Sequence, residues 1–468
     1  MLFPTFNFLL FFLVVFAAAW GLVRWPAGRK YFLIAASYFF YGYWNWKFMG
    51  LLFASTLINY AGALLVAQSA GPGRRKFWVA VTVALNLVIL AFFKYYGFFL
   101  EQLSDVLAEV GWQRDMLFLE IILPVGISFF TFQGISYVVD VYRERIEVRR
   151  DFADVLLYIS FFPQLVAGPI VRASDFLPQL NRQPDPRNVL ASMGILLILW
   201  GLFKKQIVAS YLAIDLADKV FFDPARYGTI DLLIGIWAYA VQIYCDFSAY
   251  SDIAIGVAAL LGYTFPRNFD QPYRALSLSD FWRRWHISLS SWLRDYLYIP
   301  LGGNQAGKIR TYVNLMVTML LGGLWHGAAW KFVIWGALHG GGLAIERMAG
   351  VARSARGWVG SRGLSIFLVF HFVCLCWIFF RATDMNQAFV YIAGFANWTA
   401  PELLKPLSLV LIAIGLAIHF TPRDTLGRLE NLFDRLPAVG KGIAAGLFIT
   451  VIDAFGLDDA APFIYFQF

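Results

Sequence analysis

Charge is scarce in this chain. Of its 468 residues only 15% are Asp, Glu, Lys or Arg, while 60% are hydrophobic. The mean hydropathy is +0.63. A chain of this kind cannot cover a water-facing surface with polar groups, which excludes a soluble globular core and points to a multi-pass membrane protein. Cysteine is scarcer still. Cys245, Cys374 and Cys376 are the only three, and all lie in apolar segments. Cys374 and Cys376 stand two apart with no second pair, so neither a disulfide framework nor a metal site is expected. No repeat of about 20–50 residues, low-complexity linker or soluble module interrupts the chain. Residues 1–468 are therefore read as one transmembrane domain. The first apolar stretch, Phe3–Val23, has no basic leader and no small-residue cleavage site, and is read as a retained helix.

Aromatic residues are plentiful, at 18%, and suit belts at two membrane interfaces. The net charge of +8 sits in short loops between apolar segments, so it gives no reason to expect nucleic-acid binding. After Phe3–Val23 come Tyr31–Trp46 and Phe48–Ala67, read as a hairpin, then Phe77–Phe99 and Leu117–Val141. Basic loops follow the first, third and fifth crossings, at 24–30, 74–76 and 143–150. An acidic loop with Glu101, Asp105, Glu109 and Asp115 follows the fourth. The positive-inside rule then predicts an extracytoplasmic N-terminus.

Further along, Pro124 and Gly126 predict a broken start to one segment, and Phe152–Val171, with Pro163, Gly168 and Pro169, reads as re-entrant. Val189–Phe203 is a span that ends at Lys204 and Lys205. Leu232–Leu261 carries Asp246 and Asp252, two acids that must face the protein interior. Their six-residue spacing splits them between faces, which favours holding neighbouring helices over catalysis. Leu364–Phe380, a weaker segment near Ala388–Trp398, Pro406–Phe420 and Val439–Val451 complete the apolar set, with an amphipathic connector at Arg423–Leu436. The fold class expected is all-α: a polytopic integral membrane protein with roughly ten to twelve membrane segments. Some of these would be re-entrant around a central funnel or tunnel.

The chain is organised around Ser277–Leu343. Ser277 and Asp280 have capping-box spacing and predict a helix start. Trp282, Trp285, Leu289, Trp292 and Tyr296 recur at helical steps, with Arg283, His286, Ser290 and Arg294 on another face. Pro300, Gly302 and Gly303 end what reads as one helix along the membrane surface. Tyr312–Leu343 is then apolar throughout, longer than one span, with His326 roughly 21 Å from its start on an ideal helix. A titratable group at that depth is either a functional group or a hydrogen-bonded packing histidine, and position alone leaves both open.

The strings FWRRWHISLSSWLRDYLYIPLGGN (281–304) and LGGLWHGAAW (321–330) resemble the alginate O-acetyltransferase-like branch of the membrane-bound O-acyltransferase superfamily. The resemblance extends over LPVGISFFTFQGISYVVDVYR, FFPQLVAGPIVR, IYCDFSAYSDIAIG, NFDQPY and the terminal FIYFQF. It implies that His326 is the catalytic histidine and His286 a second functional one. Trp325, Ser290 and Asn304 lie in the same strings and are candidate substrate-contacting residues. It also implies acetyl-CoA as donor with no bound cofactor, a bacterial inner-membrane location, an exported polysaccharide acceptor and an extracytoplasmic acetyl-handling partner.

The chemistry agrees with that reading. Acyl transfer to a hydroxyl needs a base, and a neutral histidine can serve near neutral pH. Water must be kept out, or the acyl group is lost to hydrolysis. Arg283, Arg284 and Arg294 can attract coenzyme phosphates or hold the helix at the cytoplasmic interface. Two kinds of alternative stand. One is a D-alanyl or peptidoglycan O-acyltransferase of the same superfamily. The other is a proton-coupled transporter using Asp246, Asp252 and His326, against which counts the lack of paired repeats.

Overall fold

A computed structural model describes residues 1, 3–111, 121–166, 168–186, 189–351, 361–457 and 463. The described residues form helices and connections, without a strand. They divide into two compact units. One comprises Met1–Val189 with Leu261–Phe265, the other Leu190–Leu260 with Pro266–Phe468.

The first unit holds α1 (Phe6–Gly21), α2 (Pro26–Asn45), α3 (Met49–Gln68), α4 (Pro72–Glu109), α5 (Ile127–Tyr142), α6 (Phe152–Ser160), α7 (Phe162–Leu165) and α8 (Ala173–Leu180). Thr5 caps α1 by accepting the Phe8 N–H, and Phe8, Phe12, Val15 and Ala19 bury one face. Pro26 and Pro72 stand in the first turns of α2 and α4, where no N–H is missed. α3 packs on α4 and α5, while α2 packs on α6 and α7. α2 and α3 follow one another through a 3-10 turn at Trp46–Phe48 rather than closing as the expected hairpin. Asn59 and Asn86 exchange two side-chain hydrogen bonds of 3.0 Å between α3 and α4, which satisfies both amides away from water.

One further expectation changes here. Glu101, Asp105 and Glu109 belong to no loop: α4 runs on for 38 residues and carries them on its far end. Asp115, like Leu117, lies outside the described residues. The broken start near Pro124 is real. Gly126 adopts φ +77°, and a Cβ there would come 2.3 Å from the Leu165 carbonyl oxygen, so α5 begins only at Ile127. The stretch expected to be re-entrant forms two short buried helices, α6 and α7.

The second unit starts with α9 (Ala191–Phe222) and α10 (Thr229–Leu260). α9 does not stop at Lys204. It continues through π-helical turns at Lys204–Ala209 and Ala213–Ala217. Gly194 and Gly256 let the two backbones approach closely, since a Cβ on either would fall within 2.9 Å of the other's carbonyl oxygen. There follow α11 (Leu278–Trp282), α12 (Ile287–Leu293), α13 (Lys308–His326), α14 (Trp330–Met348), α15 (Arg362–Arg381), α16 (Met385–Gly394), α17 (Pro406–Ala417), α18 (Thr425–Asp434) and α19 (Ala438–Phe455). The connector at 423–436 is present as α18, bent by 92° from the helix before it.

Six helical stretches among the described residues are long and apolar enough to cross a membrane, or seven with the bent pair. That is fewer than the roughly ten to twelve segments expected. The shortfall lies where irregular backbone is sheltered by protein. A segment surrounded by other helices need not be a full apolar span, because its polar groups find partners in the protein. α5 and the short buried helices α6 and α7 are of this kind.

Candidate active site

The apolar stretch 312–343 is not one long helix with a kink. α13 ends at His326, residues 327–329 are extended or bent, and α14 turns back. A Cβ on Gly323 would meet the Phe332 carbonyl oxygen at 2.1 Å, one on Gly336 the Met319 oxygen at 2.4 Å, and one on Gly340 Met316 at 3.0 Å. These pairs spread evenly from the bend, which makes α13–α14 an antiparallel hairpin with near-touching backbones. His326 therefore sits at the turn, as the last residue of α13. It is 6% exposed. Trp335 and Phe380 stand edge-on to it, with centroids at 5.0 Å each, and Trp325 at 4.9 Å.

His286 occupies a second break. The single surface helix expected over 277–301 is two short helices, α11 and α12, followed by a π-turn at Arg294–Tyr298. Ser277 does cap the start, accepting the Asp280 N–H at 3.0 Å. The chain then breaks at His286, whose φ of +43° lies in the left-handed region that a side chain disfavours. The His286 ring is fully buried. Its Nδ1 is 3.2 Å from Asn268 Oδ1, and that oxygen also accepts from Ser288 N at 3.2 Å and Ser288 Oγ at 2.9 Å. Asn268 Nδ2 donates to Ser251 Oγ of α10 at 3.0 Å. Phe247 is edge-on to the ring at 4.6 Å and Trp325 at 6.0 Å. The Trp325 indole thus touches both histidines.

The structure brings together His286, Trp325 and His326 from the expected set. It turns other members to different tasks. Arg284 binds Asp280 at 2.8 Å and Asp270 at 3.7 Å, pinning α11 to the preceding loop. Arg294 pairs with its neighbour Asp295 at 2.7 Å. Ser290 Oγ donates to the Trp285 carbonyl at 3.0 Å, across the break. Arg283 and Asn304 are exposed. Asp246 and Asp252 face lysines of α9: Lys205 Nζ is 2.7 Å from Asp246, and Lys204 Nζ is 2.7 Å from Asp252 and 2.6 Å from Ser248. Among the described residues, no cluster of His, Cys, Asp or Glu could hold a metal, and the three cysteines are buried and free.

Several supporting groups escaped the sequence reading. Glu346, fully buried at the far end of α14, accepts the Leu278 and Ser279 N–H groups and so caps α11. It couples the hairpin that carries His326 to the segment that carries His286. A lone acid in an apolar helix was its signal, the same one that singled out Asp246. Trp282 Nε1 donates to His339 Nδ1 at 3.3 Å between the same two elements. Asn268 opens the NFDQPY string, but its role had no local signal, since its partners are 17 to 20 positions away in the chain.

A histidine at the turn of a buried membrane hairpin, beside a second buried histidine, invites comparison with known proteins. The family model described as the membrane-bound O-acyltransferase family matches residues 33–386. The chain belongs to the membrane-bound O-acyltransferase family. It is accordingly a multi-pass membrane O-acyltransferase. Among similar proteins is a probable alginate O-acetylase of Pseudomonas putida, 36% identical over the whole of both chains. One of the same description from Azotobacter vinelandii is 40% identical over 86% of this chain and 80% of its own. A peptidoglycan O-acetyltransferase of Helicobacter pylori is 37% identical over 81% of this chain and 76% of its own. Both histidine strings lie inside the span matched by the family model.

Proposed function

We propose that this O-acyltransferase moves acetyl from acetyl-CoA at the cytoplasmic face to a hydroxyl of an exported polysaccharide, an alginate-type exopolymer before others. The chain would lie in a bacterial inner membrane, with its N-terminus extracytoplasmic and an acetyl-handling partner protein on that side. The observation that carries the reading is His326, a ring at a helix C-terminus enclosed by Trp325, Trp335 and Phe380. Such a site offers a base and keeps water away. His326 takes the proton of the attacking hydroxyl as its oxygen bonds to the thioester carbonyl carbon. The C–S bond then breaks, and the proton passes to the departing thiolate. The helix dipole supports the imidazolium that forms on the way.

The acetyl group and the polysaccharide acceptor are supported by the names of the similar proteins. The Helicobacter pylori relative makes peptidoglycan the second acceptor to test. The transporter alternative gives way to the family assignment, and both of its acids are engaged by lysines.

The test is His326→Gln, which keeps hydrogen-bonding capacity and size but takes no proton at neutral pH. Transfer of labelled acetyl by the purified protein should fall by about two to four orders of magnitude, with insertion and thermal unfolding unchanged. Near-normal transfer by the Gln variant would remove His326 from the role of base.

A further inference from the structure

We infer that Asn268 is a positioning residue of the transfer reaction: it holds His286 as the tautomer protonated on Nδ1, leaving Nε2 as a buried acceptor for a substrate O–H or N–H other than the hydroxyl proton that His326 takes. The inference rests on the acyl-transfer reading of this site.

The hydrogen bonds decide the tautomer. The Ser288 backbone N–H can only donate, so the Asn268 side-chain atom 3.2 Å from it must be the oxygen. That orients the amide, and the other end is satisfied in the same orientation: Nδ2 donates to Ser251 Oγ at 3.0 Å. The same oxygen lies 3.2 Å from His286 Nδ1. Two acceptors cannot share that contact, and the Ser288 hydroxyl, 3.5 Å from Nδ1, gives its one hydrogen to Asn268 at 2.9 Å, so Nδ1 carries the hydrogen. A neutral imidazole has one N–H, which leaves a lone pair on Nε2. Nε2 is buried and has no hydrogen-bond partner among the described residues. A buried acceptor left unmatched costs free energy, which a substrate O–H would recover.

The backbone supports the same assignment. His286 is held in the left-handed region at φ +43°, a strained conformation that persists only where its surroundings enforce it. The enforcing contacts come from the Asn268–Asp270 loop. Asn268 O accepts from Ile287 N at 2.8 Å, and Asp270 N donates to Arg284 O at 2.9 Å. One short loop thus fixes both the turn that carries the histidine and the proton on its ring.

The experiment compares Asn268→Ala and Asn268→Asp with His286→Gln and His326→Gln, using purified protein and acetyl-CoA with a hydroxyl acceptor. Asn268→Ala should lower kcat at least about 10-fold, toward the value of His286→Gln. The KM for acetyl-CoA should not change. Asn268→Asp should recover most of the rate, because a carboxylate oxygen accepts from the same donors and the Ser251 hydroxyl can reverse to donate. A merely structural role would show instead as lost thermal stability or folded yield, with kcat per folded molecule unchanged. The proposal is overturned if Asn268→Ala retains normal kcat while His286→Gln is impaired. It is also overturned if the Asp variant is no better than Ala, if KM moves instead of kcat, or if neither Asn268 variant accumulates folded. Normal activity in both histidine variants would instead sink the acyl-transfer reading itself.

Discussion

Lys205 and Asp246 put opposite charges 2.7 Å apart between α9 and α10, with their side chains only 2% and 3% exposed. Neither charge could stay in an apolar interior alone, and removing one leaves the other uncompensated. Lys205→Met or Asp246→Leu alone should therefore cost about 3–5 kcal/mol, while the double variant should be close to neutral. Thermal unfolding of the purified protein in detergent reads this directly. Single variants as harmless as the double would show that the pair carries no such coupling. Lys204–Asp252 provides the comparison. Asp252 is 23% exposed, so water can screen it, and breaking that pair should cost less.

At the scale of elements, the α13–α14 hairpin decides where His326 lies. Its glycines are there for approach rather than flexibility. A methyl group on Gly323 or Gly336 would strike the backbone of the opposite helix, whereas Gly341, on the same hairpin, has nothing within 4 Å of its would-be Cβ. Gly323→Ala and Gly336→Ala should each destabilise the protein by about 1–3 kcal/mol and lower activity by moving His326. Gly341→Ala should leave both unchanged. If all three behave alike in unfolding and transfer assays, close packing of the hairpin does not set the site. Gly322, Gly323 and Gly327 marked a break around His326, but which glycine faces which carbonyl depends on the pairing of two helices. No one segment encodes that pairing.

For the molecule as a whole, α4 offers the simplest test of topology. Arg74 and Asp105 stand near opposite ends of its 38 residues, roughly 46 Å apart at 1.5 Å per residue. The hydrocarbon core is only about 30 Å thick. If the helix crosses it, the two positions lie on opposite sides, with Arg74 cytoplasmic by the positive-inside rule. Single cysteines at Arg74 and Asp105 should react from opposite faces of sealed vesicles. The native cysteines are all buried and should stay silent. Reaction of both from one face would reject that crossing.

Composition and local strings determined the class of protein, the all-helical architecture and the two histidines, because hydropathy and motif are properties of short stretches. The capping of α11 by Ser277 and the break before α5 were local in the same sense. Tertiary structure decided the rest. It carried α9 past Lys204 and Lys205, because acids on another helix neutralise them. It split the 277–301 helix at His286, because Asn268 and Asp270 hold that turn from outside the segment. It drew Glu346 to the start of α11. In each case a buried polar group had to find its partner in the protein rather than in water, and the partner lay far along the chain.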